Sequence, residues 1–310
     1  MYRKMLVPLD GSELAEIVFT YAKELAGRLD IEVIVLHIVT PERALFAHAQ
    51  QAYLKQSVET IRRQAREVQK KTGISEGGKL VEVRGELAVG SPPEEILRYS
   101  EKENADLILM ATHGRSGVRH WALGNVADKI LRVSKVPVFL VRAGISDETP
   151  YDKWPQKIIL VPLDGSELAE SVLPHVEILA KQRSTEPVNV VLLRVCEPPL
   201  TTSYYATELS TVPLNWGDYI QQETARNKQM AGNYLAGIEK RFRDSNINVQ
   251  SEVLFGKAAE EIINYANRNP FSLIVMATHG RSGLKRWVYG SVAENTLLGV
   301  SNPILLVSPQ

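Results

Sequence analysis

The sequence predicts an α/β protein built from two tandem, doubly wound parallel sheets. Three observations carry this. The string VPLDGSELAE occurs at 7–16 and returns unchanged at 161–170. The string MATHGRSG occurs at 110–117 and again at 276–283. Around these strings, apolar β-branched runs alternate with stretches of helical period, the pattern of a parallel sheet with helices on both faces.

The repeat sets the domain organisation. IEVIVLHIVTP at 31–41 matches VNVVLLRVCEP at 188–198, so the order of motifs is kept in both halves. This is a duplicated domain of roughly 145 residues, not a short-period solenoid. The second half carries extra chain around TTSYYATELSTVPLNWGDY, residues 201–219. VPVFLVR (136–142) closes the first unit and KIILVPLDG (157–165) opens the second. The polar, turn-rich AGISDETPYDKWPQ between them reads as a linker. The expected division is 1–144, a linker at 145–155, and 156–310.

Each element of one half has its own reason. Lys4–Leu9 is a short apolar run, a buried strand. Glu13–Leu29 places Leu14, Ile17, Val18, Tyr21 and Leu25 on one helical face. Ile31–Val39 is almost wholly apolar, as a strand covered on both faces should be. Ala44–Lys71 reads as a helix and Lys79–Arg84 as the third strand. Pro92–Lys102 is a helix with proline in its first turn, where no backbone donor is lost. Asp106–Ala111 is the fourth strand, Gly124–Val133 a helix and Val136–Val141 the fifth strand. In the second half, Pro174 predicts a kink or an altered helix after Asp164.

Composition narrows the function. At 44% hydrophobic and 23% charged, the chain has the balance of a folded globular protein. Lys+Arg and Asp+Glu are both 36, and no dense basic run is present, so nucleic-acid binding finds little support. Arg62, Arg63 and Arg66 are accompanied by Glu59 and Glu67, the pattern of a solvated helix face. The single cysteine, Cys196, fits a reducing compartment and reads as a strand-end residue. Met5–Leu9 is too short for a signal-peptide core, and no stretch approaches a membrane span. The expected compartment is the cytoplasm.

In such sheets, ligands sit beyond the carboxyl ends of the strands, where the strand order reverses. That rule selects the Asp10 turn, the end of strand two at His37–Val39, and the ATHG loop after strand four. In the loop, Ala111-Thr112-His113-Gly114 is followed nine residues later by Gly124-Asn125 and a helix. The second copy runs Ala277-Thr278-His279-Gly280, then nine residues, then Gly290-Ser291. Small residues let backbone N–H groups approach an anion, and a helix N-terminus adds unpaired donors and a favourable dipole. The frame suits a nucleotide phosphate chain, with Ser291 adding a hydroxyl.

Each feature also has a plain structural reading. Glycine after a strand can be only a turn, and Gly-Ser before a helix only a cap. In Asp-Gly-Ser-Glu, Asp10 and Asp164 could cap the next helix, and Ser12 and Ser166 could cap equally well. Arg115 and Arg281 read as solvent-exposed, and Trp121 and Trp287 as packing for the loop. His113 and His279 lack a sequence partner for a metal site.

With these motifs in view, both halves resemble the universal stress protein family nearly end to end. The resembling residues are VPLDGSELAE, the end of strand two, ATHGRSG, and the Gly-x-Val-Ala stretches at 124–127 and 290–293. The resemblance implies an adenine nucleotide alpha hydrolase-like sheet of five parallel strands in order 3-2-1-4-5. Family members pair through their last strands, so a tandem chain can form that pair internally as a pseudo-dimer. A homodimer of whole chains stays open.

The ATP-binding branch carries Gly-x2-Gly-x9-Gly-Ser/Thr. In the second half the pattern falls on Ala277, Gly280, Gly290 and Ser291, with Asp164 toward the adenosine and the Val195 backbone toward adenine. In the first half the positions are Asp10, Ile38, Ala111, Gly114, Gly124 and Asn125. Alanine replaces the first glycine in both halves, and Asn125 replaces Ser/Thr in the first. The expectation is a stress-response or regulatory protein binding ATP, with Mg2+ as companion ion, and with the second half more competent. A slow ATPase or self-phosphorylating protein and a nucleotide-free interaction protein are the alternatives. Asp-Gly-Ser-Glu is not the Ser-Gly-Gly-x-Asp-Ser loop of the related ATP pyrophosphatases, which sets that activity aside.

Overall fold

A computed structural model describes residues 2–41, 47–73, 79–112, 123–142, 158–183, 187–198, 216–270, 272–279 and 290–309. The first half runs β1 (Lys4–Leu9), α1 (Glu13–Glu16), α2 (Val18–Leu29), β2 (Glu32–Val39), α3 (Ala47–Lys71), β3 (Val83–Val89), α4 (Pro92–Lys102), β4 (Leu107–Ala111), α5 (Asn125–Val133) and β5 (Val138–Val141). The second half repeats the order. It runs β6 (Ile158–Pro162), α6 (Glu167–Glu170), α7 (Leu173–Ala180), β7 (Asn189–Cys196), α8 (Trp216–Asp244), β8 (Asn248–Phe255), α9 (Ala258–Arg268), β9 (Leu273–Ala277), α10 (Ser291–Gly299) and β10 (Ile304–Val307).

Each half has the expected strand order, and the last strands join. The result is one ten-stranded sheet, β3-β2-β1-β4-β5-β10-β9-β6-β7-β8. At the junction, β5 and β10 run antiparallel, with Leu305 opposite Phe139. The other strand pairs are parallel. The internal pseudo-dimer is therefore built by backbone hydrogen bonds across the middle of the sheet.

Strand alternation explains why the sheet needs helices on both faces. Met5 and Val7 face one apolar layer and Leu6 the other, and all three are fully buried. Both layers draw residues from both halves. Phe139 is fully buried on β5, and its ring lies 5.6 Å from that of Tyr21 on α2. On this face the halves also share polar contacts. Tyr2 Oη and His175 Nδ1 lie 2.7 Å apart, and Arg28 Nη1 donates to the Arg183 carbonyl at 2.8 Å.

Three local expectations are corrected. The third strand is Val83–Val89, not Lys79–Arg84. It continues through Gly85 because α3 packs close there: a Cβ on Gly85 would meet Leu54 Cγ at 2.8 Å. The predicted helix Glu13–Leu29 divides at Ile17 into α1 and α2. The equivalent break in the second half precedes Leu173, so Pro174 sits in the first turn of α7 rather than kinking a continuous helix.

Candidate functional site

At the tip of β6, the Asp-Gly-Ser-Glu turn divides its labour. Gly165 has φ 79°, a left-handed conformation that favours glycine. Across it, Asp164 Oδ1 accepts from the Ser166 backbone N–H at 2.9 Å and from Ser166 Oγ at 2.6 Å. Ser166 Oγ in turn accepts from Ala169 N at 3.2 Å, so serine is the helix cap. Aspartate holds the turn while remaining part of the cavity wall. The first half repeats this with Gly11 at φ 77°, Asp10, Ser12 and Ala15. The plain capping reading thus holds for both serines, and the aspartates are positioned rather than capping.

Beside that turn, β7 outruns β6. The last β6 pairing is Pro162 with Leu193, and Leu163 N still donates to the Leu193 carbonyl at 2.9 Å. Alternation along β7 then turns the Val195 backbone to the same side, where β6 has ended. On its other side β7 stays paired with β8 through Cys196–Phe255. Ile38 occupies the matching place on β2, one residue beyond the last β1 pairing of Leu9 with His37.

The third wall is the loop end and α10. Thr278 N donates to the Val307 carbonyl at 2.8 Å, and Gly290 N donates to the Thr278 carbonyl at 2.7 Å. These bonds seat the start of α10 against the end of β9. Gly290 is the helix N-cap with φ −69° and ψ 152°, and no side chain caps the first turn. Among the described residues, a Cβ on Gly290 would meet only the Thr278 carbonyl oxygen at 3.6 Å, an ordinary contact. Among those residues, sterics do not require glycine at this position, although glycine is favoured over alanine at an N-cap. In the first half, Thr112 and Gly124 make the corresponding bonds, and Gly124 caps α5 before Asn125.

These walls enclose a cavity of about 760 Å³, within the range of small-molecule sites. It brings together Asp164, Val195, Ala277, Gly290 and Ser291. Gly280 and Gly114 lie outside the described residues, as do His113, Arg115, Arg281, Trp121, Trp287, Tyr204 and Tyr205. Ala277 is buried and joins the apolar layer that includes Leu173 and Leu235, so its methyl is partly used in packing. Among the described residues no group of His, Cys, Asp and Glu could hold a metal ion.

Two wall residues were not singled out from the sequence. Arg194 lies at the end of β7, with Nη1 donating to the Leu163 carbonyl at 3.3 Å and its guanidinium 5.8 Å from the Tyr234 ring. Tyr234, on α8, donates its hydroxyl to Glu170 Oε1 at 2.9 Å. Burial, and then the Glu170 carboxylate, push the Tyr234 phenol up, so it stays protonated as a donor. The signal lay in the repeat. Tyr53 on α3 stands where Tyr234 stands on α8, and it too is pushed up by burial and then by Glu16.

The first half differs at the same place. His37 takes the position of Arg194, and its Nδ1 lies 3.0 Å from the Leu9 carbonyl. Its Nε2 meets Gln50 Oε1, and its ring packs edge-on against Tyr53 at 5.3 Å. Gln50 precedes Tyr53 by three residues, as Ala231 precedes Tyr234, so Gln50 and Ala231 are equivalent.

Comparison with known proteins agrees with this architecture. The sequence profile of the universal stress protein family matches residues 1–142 and again 156–308. The universal stress protein MJ0577 of Methanocaldococcus jannaschii is 31% identical over 158 residues, spanning 46% of this chain and 96% of that protein. MJ0531 of the same organism is 29% identical over 144 residues, spanning 46% of this chain and 83% of that protein. Among solved structures, a universal stress protein from Archaeoglobus fulgidus aligns with a TM-score of 0.62 at 16% identity, over 99% of this chain and 96% of that one. A putative universal stress protein from Pseudomonas aeruginosa aligns with a TM-score of 0.63 at 17% identity, over 99% and 94%. At these identities the structural likeness concerns the fold. Among the described residues, no helix is long and apolar enough to cross a membrane.

Proposed function

The chain belongs to the universal stress protein family, and we propose that it is a regulatory protein that binds ATP, with Mg2+, at the switch point of its second half. The base and ribose lie between the Val195 backbone and Asp164. The phosphates lie at the N-terminus of α10, against Gly290 and Ser291. The first-turn N–H groups and the helix dipole there favour an anion.

One observation carries this reading. Gly290 sits at a helix start beside the cavity, in a backbone conformation open to any residue, and the described residues leave room for a side chain there. Glycine is a favoured N-cap, and here it also leaves the backbone of the helix start bare for a ligand to approach. Asp164 adds to it, because its carboxylate is held at the cavity wall while serine does the capping. Ser291 supports the preference for the second half, since it offers a hydroxyl where the first half has Asn125.

The role follows from this chemistry. ATP held here stabilises one arrangement of the walls and couples nucleotide level to conformation. The cytoplasm, where ATP is abundant, is the compartment this reading implies. The test is titration of nucleotide-free chain with Mg-ATP, in wild type and in Asp164→Ala. Binding that weakens at least tenfold in the variant supports the assignment. Wild-type chain that binds no adenine nucleotide overturns it and leaves the fold serving as an interaction module.

A further inference from the structure

The two switch points share their Asp turn, a tyrosine placed near a glutamate and their Thr–Gly helix seat, yet they differ in two wall residues. In the second half, Ala231 is a small cavity-wall residue and Arg194 bonds back to the Leu163 carbonyl. In the first half, Gln50 replaces the alanine and sends its amide to His37 Nε2. His37 is 1% exposed, fixed on its other side by the Leu9 carbonyl and packed against Tyr53. The Gln50 side chain is thus anchored on His37 at the end of β2, where the equivalent Ala231 of the second half lines open space. Both ring nitrogens of His37 face an oxygen, so neutral His37 satisfies both when Nδ1–H donates to the Leu9 carbonyl and the Gln50 amide turns to donate its N–H to Nε2. Displacing the amide would leave a buried imidazole nitrogen unpaired, which costs about 1–3 kcal/mol.

We propose that Gln50, held by His37, closes the first switch point against nucleotide, so that the tandem chain carries one nucleotide rather than two. This rests on the reading of the second half as an ATP site and names the residue that separates the halves. The exchange of Ser291 for Asn125 concerns the phosphate end alone. The Gln50–His37 contact concerns the base end, so restoring a hydroxyl at position 125 does not by itself reopen the site.

The experiment is calorimetric titration of the nucleotide-free full chain with Mg-ATP. The variants are Asn125→Ser, Gln50→Ala/Asn125→Ser and Gln50→Ser/Asn125→Ser, with thermal melts to verify folding. The expected stoichiometries are one for wild type, one for Asn125→Ser and two for both double variants. Gln50 is half-buried on α3, and the two shorter side chains, one with a hydroxyl that can meet His37, guard against a local packing failure. The converse variant, Ala231→Gln, is expected to weaken the remaining site at least tenfold.

Two equivalents in wild type, or in Asn125→Ser alone, would overturn the closure while leaving nucleotide binding intact. So would folded double variants that stay at one equivalent, or an Ala231→Gln chain with unchanged affinity. If neither wild type nor any variant binds, the nucleotide reading itself is wrong and the closure falls with it.

Discussion

Two glycines let the demands of folding be separated from those of binding. Gly85, in β3, faces α3. An added Cβ would lie 2.8 Å from Leu54 Cγ and 3.0 Å from Val58 Cγ2, inside a packed layer. Gly85→Ala therefore overpacks the first half and is expected to destabilise the chain by about 1–3 kcal/mol. Among the described residues, a Cβ on Gly290 would meet only one carbonyl oxygen at 3.6 Å, at φ −69°. For Gly290→Ala, the smaller entropy of the unfolded chain contributes about 0.4–1 kcal/mol of stability. The preference for glycine over alanine at an N-cap offsets much of that. The net change is within about 1 kcal/mol. Binding behaves in the opposite way. A methyl group that holds a phosphate off one charge-assisted hydrogen bond costs about 1.5–3 kcal/mol. That is about a ten- to hundredfold loss of affinity. Denaturant unfolding and Mg-ATP titration on both variants form the assay. The reasoning is refuted if Gly290→Ala unfolds as readily as Gly85→Ala, or binds ATP like wild type.

Other predictions follow from the same geometry. Ser166→Ala removes a helix cap and the hydroxyl on Asp164 Oδ1, so it costs about 1 kcal/mol and weakens ATP binding; Ser12→Ala costs the same stability with affinity unchanged, as paired melts and titrations can show. Phe139→Ala empties a fully buried site at the β5–β10 junction and is expected to cost about 3–5 kcal/mol in denaturant unfolding. Burial holds the folded-state pKa of His175 below its ordinary 6.5, so the unfolded chain binds more protons between the two values. Stability supplied by neutral His175 is present above the ordinary value and falls as pH drops through it. Melts between pH 7.5 and 5 should show that slope, and His175→Gln should flatten it.

Much of this architecture is legible in the sequence because duplication displays it twice. Repeated strings fixed the strand tips, and the buried apolar runs were enough to place β1, β2 and β4. The residues that failed to show themselves depend on contacts between distant segments. Gly85 lies just past the expected end of the third strand at Arg84, and only the close packing of α3 shows why a glycine stands inside it. The division of Glu13–Leu29 at Ile17 has no proline or glycine to announce it. Arg194 and His37 align directly in the strand-two strings, but the residues they touch lie on α8 and α3, whose alignment is shifted by the 201–219 insertion. The equivalence of Tyr234 with Tyr53 and of Ala231 with Gln50 is therefore harder to read from the linear repeat. The aspartate–serine turn was legible as a motif, but only hydrogen bonding assigns capping to serine and leaves aspartate on the cavity wall.

The most direct test of the central claim is the nucleotide content of the purified chain, followed by titration of the emptied protein. Denatured protein should release ATP, or the emptied protein should take up Mg-ATP, at one equivalent per chain. Asp164→Ala should abolish or sharply weaken that equivalent. A folded chain that releases no nucleotide and takes up no Mg-ATP would contradict the account, and the cavity beside Gly290 would then be a feature of the fold alone.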